Sequence, residues 1–186
     1  MCHLRFWRSA AAAAGEKSNR KLKKDGEIVA LDISSVMCER ARKQIPKYGI
    51  DIELLNEDAL NNSIEDESVD CVISTFGLKT FSEEQTRVLM KQLYRILKPG
   101  GLFSFVEISV PKNLVIKLPY MFYLTCCIPS IGRLCLGNPD NYRYLSLYTK
   151  KFENCLKVQK VGQEMGLKTN YKDLFYGCAS AIYGCK

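Results

Sequence analysis

The chain has 186 residues, 47% of them hydrophobic and 25% charged, which is the composition of an ordinary globular domain large enough to build a core without staples. Its formal charge of +7 is concentrated at the start: residues 1–24 hold seven Lys/Arg against Glu16 alone, while the rest of the chain holds twenty basic and nineteen acidic residues. The body is therefore nearly neutral and has no basic stripe with interleaved aromatics, which argues against a nucleic-acid partner.

In chain order, residues 1–25 read as a basic, disordered leader, and residues 26–186 as one domain. The Arg-rich, acid-poor opening "MCHLRFWRSAAAAAG" is too interrupted for a secretory signal; it suits an organelle transit peptide or a misjoined reading frame. Asp25-Gly26 reads as a turn, and "EIVALDI" at 27–33 as a short apolar strand ending in Asp32. Ser34 or Ser35 can cap a helix through Gln44, with Val36, Met37, Ala41 and Ile45 offered to its inner face. "IDIELLNED" at 50–58 is a second strand with an acidic exit, and "VDCVISTFG" at 69–77 a third, uncharged from Cys71 to Ile73 as a strand covered on both faces should be. Ser82 and Gln85 are spaced as a capping box for a helix with Leu89, Leu93, Ile96 and Leu97 on one side, running to Lys98 and stopped by Pro99-Gly100-Gly101. "LFSFVEIS" is the fourth strand.

This β-α-β-loop-β-α-β order predicts an α/β fold with right-handed crossovers between parallel strands. Residues 110–149 have no clean period and read as an irregular or helical insertion. Their greasiest stretch, "LPYMFYLTCCIP" at 118–129, is too short to span a bilayer and holds two prolines. A helix over 152–165 follows. "LKTNYKDLF" and "CASAIYGC" then close the chain as two strands with no room for a crossover helix, hence an antiparallel pair.

Nine cysteines form no CxxC, and His3 is the only histidine. That pattern reads as reduced intracellular thiols, with no metal site and no His-dependent triad. Open α/β sheets bind ligands beyond the C-terminal ends of their strands, which here carry Asp32, Glu57, Asp58, Ser74–Gly77 and Glu107–Ser109. Asp32 can hold a ribose diol or simply cap a helix. Asp58, followed by Ala59, can accept from an adenine amine or finish a turn, and Phe76 can stack on a base or fill the core.

The segments "GEIVALDIS", "NEDAL", "VISTFGLKTFSEE", "LYRILKPGGLFSFVEIS" and "NPDNYRYLSLY" resemble the class I S-adenosylmethionine-dependent methyltransferases, specifically the family that methylates the ring carbon of ubiquinone and menaquinone precursors. The resemblance covers about residues 26–186. It implies a Rossmann-like sheet, mostly parallel with a C-terminal antiparallel pair, and S-adenosyl-L-methionine as cofactor. It implies that Asp32 holds the ribose, that Asp58 and Ala59 line the adenine pocket, and that Ile33, Ser74 and Phe76 also bind the cofactor. Lys79, Tyr142 and Arg143 are the implied catalytic positions, in a pocket for a quinone-like, polyprenylated substrate that the 110–149 insertion covers, with peripheral membrane contact or association with another chain in keeping.

Two departures stand out. Where the family resembles Phe-Gly-Leu-Arg-Asn, this chain has Phe76-Gly77-Leu78-Lys79-Thr80, trading a planar fork for an ammonium. The family's first strand and Gly-rich loop have no counterpart upstream of Glu27, so the sheet is expected to be N-terminally truncated. An inactive, methyltransferase-like partner protein is the competing reading.

Overall fold

The computed structural model describes residues 3–8, 27–49, 51–136 and 140–186, with the backbone alone for residues 3–8, 48, 133–136 and 140–143. Seven strands form one sheet: β1 (His3–Arg8), β2 (Glu27–Leu31), β3 (Ile52–Leu55), β4 (Val69–Thr75), β5 (Leu97–Ile108), β6 (Lys168–Leu174) and β7 (Ala179–Cys185), in the spatial order β3-β2-β1-β4-β5-β7-β6. The pairs β2/β3 and β4/β5 are parallel, while β1 is antiparallel to both its neighbours and β7 to both of its own. Strands β2, β3, β4, β5 and β6 thus share one direction and β1 and β7 oppose it, so the sheet is mixed: parallel pairing is less extensive than expected.

The leader needs the larger correction. His3–Arg8, expected to be disordered, form the central strand, registered Leu4 to Leu31 on one side and Leu4 to Ser74 on the other. The reason is physical: without β1 the sheet would leave two internal edges with unpaired backbone, a cost that any short alternating segment can relieve. The slot of the expected missing strand is therefore filled, but in the opposite direction. Residues 9–26, the rest of the leader, lie outside the described residues.

Local signals elsewhere act much as the sequence suggests. Helix α1 (Ser35–Gln44) is capped by the Ser34 hydroxyl accepting from the Met37 N–H at 3.4 Å, and it buries Cys38 rather than Val36, which points outward. Helix α2 (Glu83–Ile96) begins in a reciprocal capping box, Gln85 N to Ser82 Oγ at 3.1 Å and Ser82 N to Gln85 Oε1 at 2.9 Å. It ends two residues earlier than expected because Leu97 pairs with Val69, after which the register jumps to Cys71 with Leu102. Lys98–Gly101 form the excursion between; Gly100 sits at φ +76°, and a Cβ on Gly101 would meet the Lys98 carbonyl at 2.9 Å.

The insertion is helical. It contains α3 (Leu114–Phe122), a π-helical turn (Tyr123–Cys127), α4 (Ile128–Leu136) and α5 (Asp140–Phe152), followed by α6 (Leu156–Glu164). On one face of the sheet, Met90, Leu93 and Ile96 of α2 and Val158 and Val161 of α6 close over Val72, Phe103, Phe105 and Ile182 to make the core. This arrangement holds β3 and β2 on one side of β1 and β4 and β5 on the other, with the C-terminal ends of these four strands at one edge.

Candidate functional site

The C-terminal strand ends hold two groups of residues, separated by β1. On one side lies Asp32, directly after β2. Its main chain is held by Leu55 O (from Asp32 N, 3.1 Å) and by Asn56 Nδ2 donating to its carbonyl at 2.9 Å, and its Oδ1 accepts from Ser34 N at 2.8 Å. Asp32 thus braces the Ser34 cap of α1 from two residues upstream with one carboxylate oxygen, and it is 5% exposed. Ile33 beside it is largely exposed. Asp58 spends Oδ1 on its own turn, accepting from Leu60 N at 2.9 Å, and Ala59 is buried in the core cluster. Glu57 accepts from the Ser63 N–H and hydroxyl at 2.8 and 2.7 Å, and those bonds hold its carboxyl below the usual range. The acidic exit of β3 is therefore largely a self-bonded loop.

On the other side lie β4 and β5. Ser74 is buried near the end of β4, and its hydroxyl has no hydrogen-bond partner among the described residues. A buried orphan hydroxyl at a strand end suits a polar ligand atom. Phe76 adopts φ +61°, with its N–H bonded to Val106 O at 2.9 Å and its ring half-exposed, so it is not a core residue. A short turn, Leu78–Thr80, then carries Lys79 back over β5.

Lys79 meets the most telling group of the site. Its Nζ donates to Glu107 Oε1 at 2.9 Å and to the Phe76 carbonyl at 2.8 Å, while its backbone N–H donates to Glu107 Oε2 at 3.1 Å. Ile108 N adds a fourth bond, to Glu107 Oε1 at 2.9 Å. The two side chains are 8% and 0% exposed, so this is a buried ion pair whose carboxylate accepts from three donors. The sequence reading placed Glu107 at a strand end without assigning it a role. The overlooked signal is its alternation with Phe103 and Phe105 on the buried face, where a charge requires a partner.

The insertion closes this side. Helix α5 packs on the Lys79 turn, and the Tyr120 hydroxyl donates to Cys178 O at 2.9 Å. Burial, reinforced by Cys178 and Glu107, pushes the Tyr120 phenol up to about 12. Tyr142 and Arg143 belong to the backbone of α5, but their side chains lie outside the described residues. Asp32, Ser74, Phe76 and Lys79 thus share one edge of the sheet. Strand β1 stands between Asp32 and the other three, a separation of two strand spacings, about 9–10 Å. No group of three or more His, Cys, Asp or Glu suited to a metal occurs among the described residues. A depression lined by Val29, Glu53, Leu55, Ser63, Ile64, Glu65 and Val69 lies beside β3 and the loop after it and, at about 170 Å³, is small for an organic ligand.

The sheet has the class I S-adenosylmethionine-dependent methyltransferase architecture. A SAM dependent methyltransferase from Aquifex aeolicus superposes with a TM-score of 0.54 at 15% identity, over 84% of this chain and 66% of that one. Residues 10–186 match the model of the ubiE/COQ5 methyltransferase family, and the chain belongs to that family. A demethylmenaquinone methyltransferase of Lactobacillus johnsonii is 32% identical over 145 residues, covering 77% of this chain and 58% of its own length. A ubiquinone/menaquinone biosynthesis C-methyltransferase, UbiE, of Haemophilus ducreyi is 29% identical over 176 residues, covering 91% and 66%. The chain spans less than two thirds of either relative.

Proposed function

We propose that this chain binds S-adenosyl-L-methionine across its strand ends and assists methyl transfer to a quinone-precursor ring or a related lipid-like molecule. Membership of the ubiE/COQ5 methyltransferase family and the printed activities of its relatives support the reaction class. The single observation that carries the site is the buried Lys79–Glu107 pair beside an orphan Ser74 hydroxyl and an exposed Phe76 ring. The residues fit the adenosine half of the cofactor: Asp32 for the ribose hydroxyls, Ile33 and Phe76 as apolar walls, and Ser74 for a polar atom. Asp58 spends Oδ1 on its own turn and keeps its second oxygen for an adenine amine, while Ala59, in the core cluster, contributes shape.

Bound, the cofactor supplies an electrophilic methyl on a sulfonium; the protein supplies alignment and charge. An ammonium has three protons, and Lys79 commits two of them, to Glu107 and to the Phe76 carbonyl. The third is available to a ring oxygen of the substrate, where it would stabilise the phenolate character that makes the adjacent carbon nucleophilic. Glu107 is fully buried and bonded to both the side chain and the main chain of Lys79, so its role in this reading is to hold Lys79 rather than to take a substrate proton. Tyr142 and Arg143 of α5, and the helical insertion, would complete the cover. The free cysteines support an intracellular setting.

A second reading has its own observation. Because β1 is antiparallel, its beginning, His3, stands opposite Thr75 at the cofactor edge, where a forward-running strand would deliver a Gly-rich turn. This favours a methyltransferase-like partner without catalysis. Transfer of a labelled methyl from S-adenosylmethionine to a demethylmenaquinol by the purified chain tests the pair: label in the ring, lost on Lys79→Met, supports the enzyme. Absence of label from a folded chain supports the partner.

A further inference from the structure

The 19 residues Leu114–Gly132 are helical throughout, through Pro119 and up to and past Pro129, and are long and apolar enough to cross a membrane, longer than the 118–129 stretch suggested by sequence. Their inner face is committed to the protein. Ile116, Tyr120, Leu124 and Ile128 recur every four residues; Leu124 is buried, Ile116 and Ile128 are half-buried, and Tyr120 is bonded to Cys178 O. The outer face is just as apolar. Leu114, Leu118 and Phe122 recur at the same spacing with Val115 and Tyr123 beside them, all exposed. A helix apolar all round is built for a non-aqueous neighbour on each side.

Two independent features say what that neighbour is. The first is charge: residues 110–139 contain Lys112, Lys117 and Arg133 and no Asp or Glu at all, in a body that is otherwise balanced. The second is the turn between β6 and β7. Phe175 and Tyr176 are consecutive non-glycine residues at φ +49° and +57°, a strained backbone that leaves the two rings 78% and 88% exposed. The turn is tied to the entrance of α3. Ser109 N donates to Cys178 O, Ser109 Oγ donates to Gly177 O, and a Cβ on Gly177 would meet Pro111 at 3.3 Å. Exposed aliphatics and aromatics on α3, with Lys112 and Lys117 beside them and the Phe175–Tyr176 turn tied to their start, are the composition of a segment that lies in the headgroup layer.

We propose that the outer face of α3–α4, with Phe175 and Tyr176, is a docking surface for an anionic lipid bilayer. The helices lie on the membrane rather than cross it, because Tyr120 and Leu124 hold the inner face to the body. Docking there sets the insertion that covers Lys79 against the bilayer, so a substrate with a hydrocarbon tail would reach the site without leaving the lipid.

The test is sedimentation of the 186-residue chain with vesicles of phosphatidylcholine alone and of phosphatidylcholine mixed equally with phosphatidylglycerol, at low and high salt. No cofactor or substrate is added, so the outcome is independent of the methyl-transfer reading. The proposal expects binding to the anionic vesicles, weakened by salt, with partition reduced about tenfold by Leu118→Ser together with Phe122→Ser. Lys112→Glu with Lys117→Glu reduces it by a similar factor, about tenfold. These side chains are exposed or half-exposed, and circular dichroism of each variant checks that it folds. Three results overturn the proposal: no partition into either vesicle, equal partition into both, or a dimer by light scattering that Leu118→Ser with Phe122→Ser dissolves while no vesicle is bound.

Discussion

Removing either member of the Lys79–Glu107 pair strands the other in a site where both are almost fully enclosed. Lys79→Met leaves a fully buried carboxylate with the N–H groups of Lys79 and Ile108 but without its counter-ion. Glu107→Gln leaves an ammonium whose remaining described bond is to the Phe76 carbonyl. Breaking a buried pair from one side costs about 3–5 kcal/mol. The backbone donors that survive in each variant put the expectation near the lower bound, about 3 kcal/mol for each single change. The double variant removes both charges together, so it should cost less than the sum by about 1–2 kcal/mol or more. Urea unfolding followed by circular dichroism at neutral pH reads all three differences. Single variants that each lose under about 1 kcal/mol and add without coupling would refute the view that this pair is dry and mutually dependent.

Asp32→Ala should weaken S-adenosylhomocysteine binding by about tenfold or more, through lost ribose hydrogen bonds, with little change in helix content by circular dichroism. Ser82→Ala dismantles the capping box of α2 and should lower stability by about 1 kcal/mol in the same urea assay. Gly184→Ala should be far worse, because the new Cβ would fall 1.8 Å from the Lys168 carbonyl and force β6 from β7; loss of the cooperative transition is expected. Burial pushes the Cys155 thiol up to about 12 from an ordinary value of 9.0. A raised folded value means that the unfolded chain loses this proton first. The stability it protects is whole below about pH 9 and falls by about 1.4 kcal/mol per pH unit on the way to 12. Unfolding curves between pH 8.5 and about 10.5 should show a slope that is reduced in Cys155→Ala.

The parts of the fold that were legible in the sequence were those in which one local rule sufficed. The Ser82–Gln85 box and the β6/β7 hairpin each follow from a cap or a short connection, whereas the uncharged middle of β4, expected to be covered on both faces, is buried at Val72 and exposed at Ile73. Strand β1 was hidden because six residues between Met1 and an alanine run carry an alternation too brief to outweigh their arginines. Its place depends on backbone groups of β2 and β4 at least 19 residues away. The stop at Lys98 was misplaced by two residues because pairing of Leu97 with Val69 overrides helix propensity. Helix α1 buries Cys38 because the Asp32 and Leu55 carbonyls both lie within reach of its thiol, a tertiary preference that periodicity cannot carry.

For the site, strand-end logic pointed to Asp32, Ser74, Phe76 and Glu107, while Lys79 came from the family resemblance. What it could not provide was connectivity. Nothing in the spacing of Lys79 and Glu107, 28 residues apart, announces a pair, and the sequence offers turn closure by Asp58 only as one of two readings.

Calorimetric titration of the 186-residue chain with S-adenosylhomocysteine, on a sample whose fold has been verified by circular dichroism, tests the central claim most directly. The account predicts one binding site with a dissociation constant on the order of micromolar, weakened by Asp32→Ala. A folded chain that takes up no ligand at concentrations on the order of millimolar would contradict it.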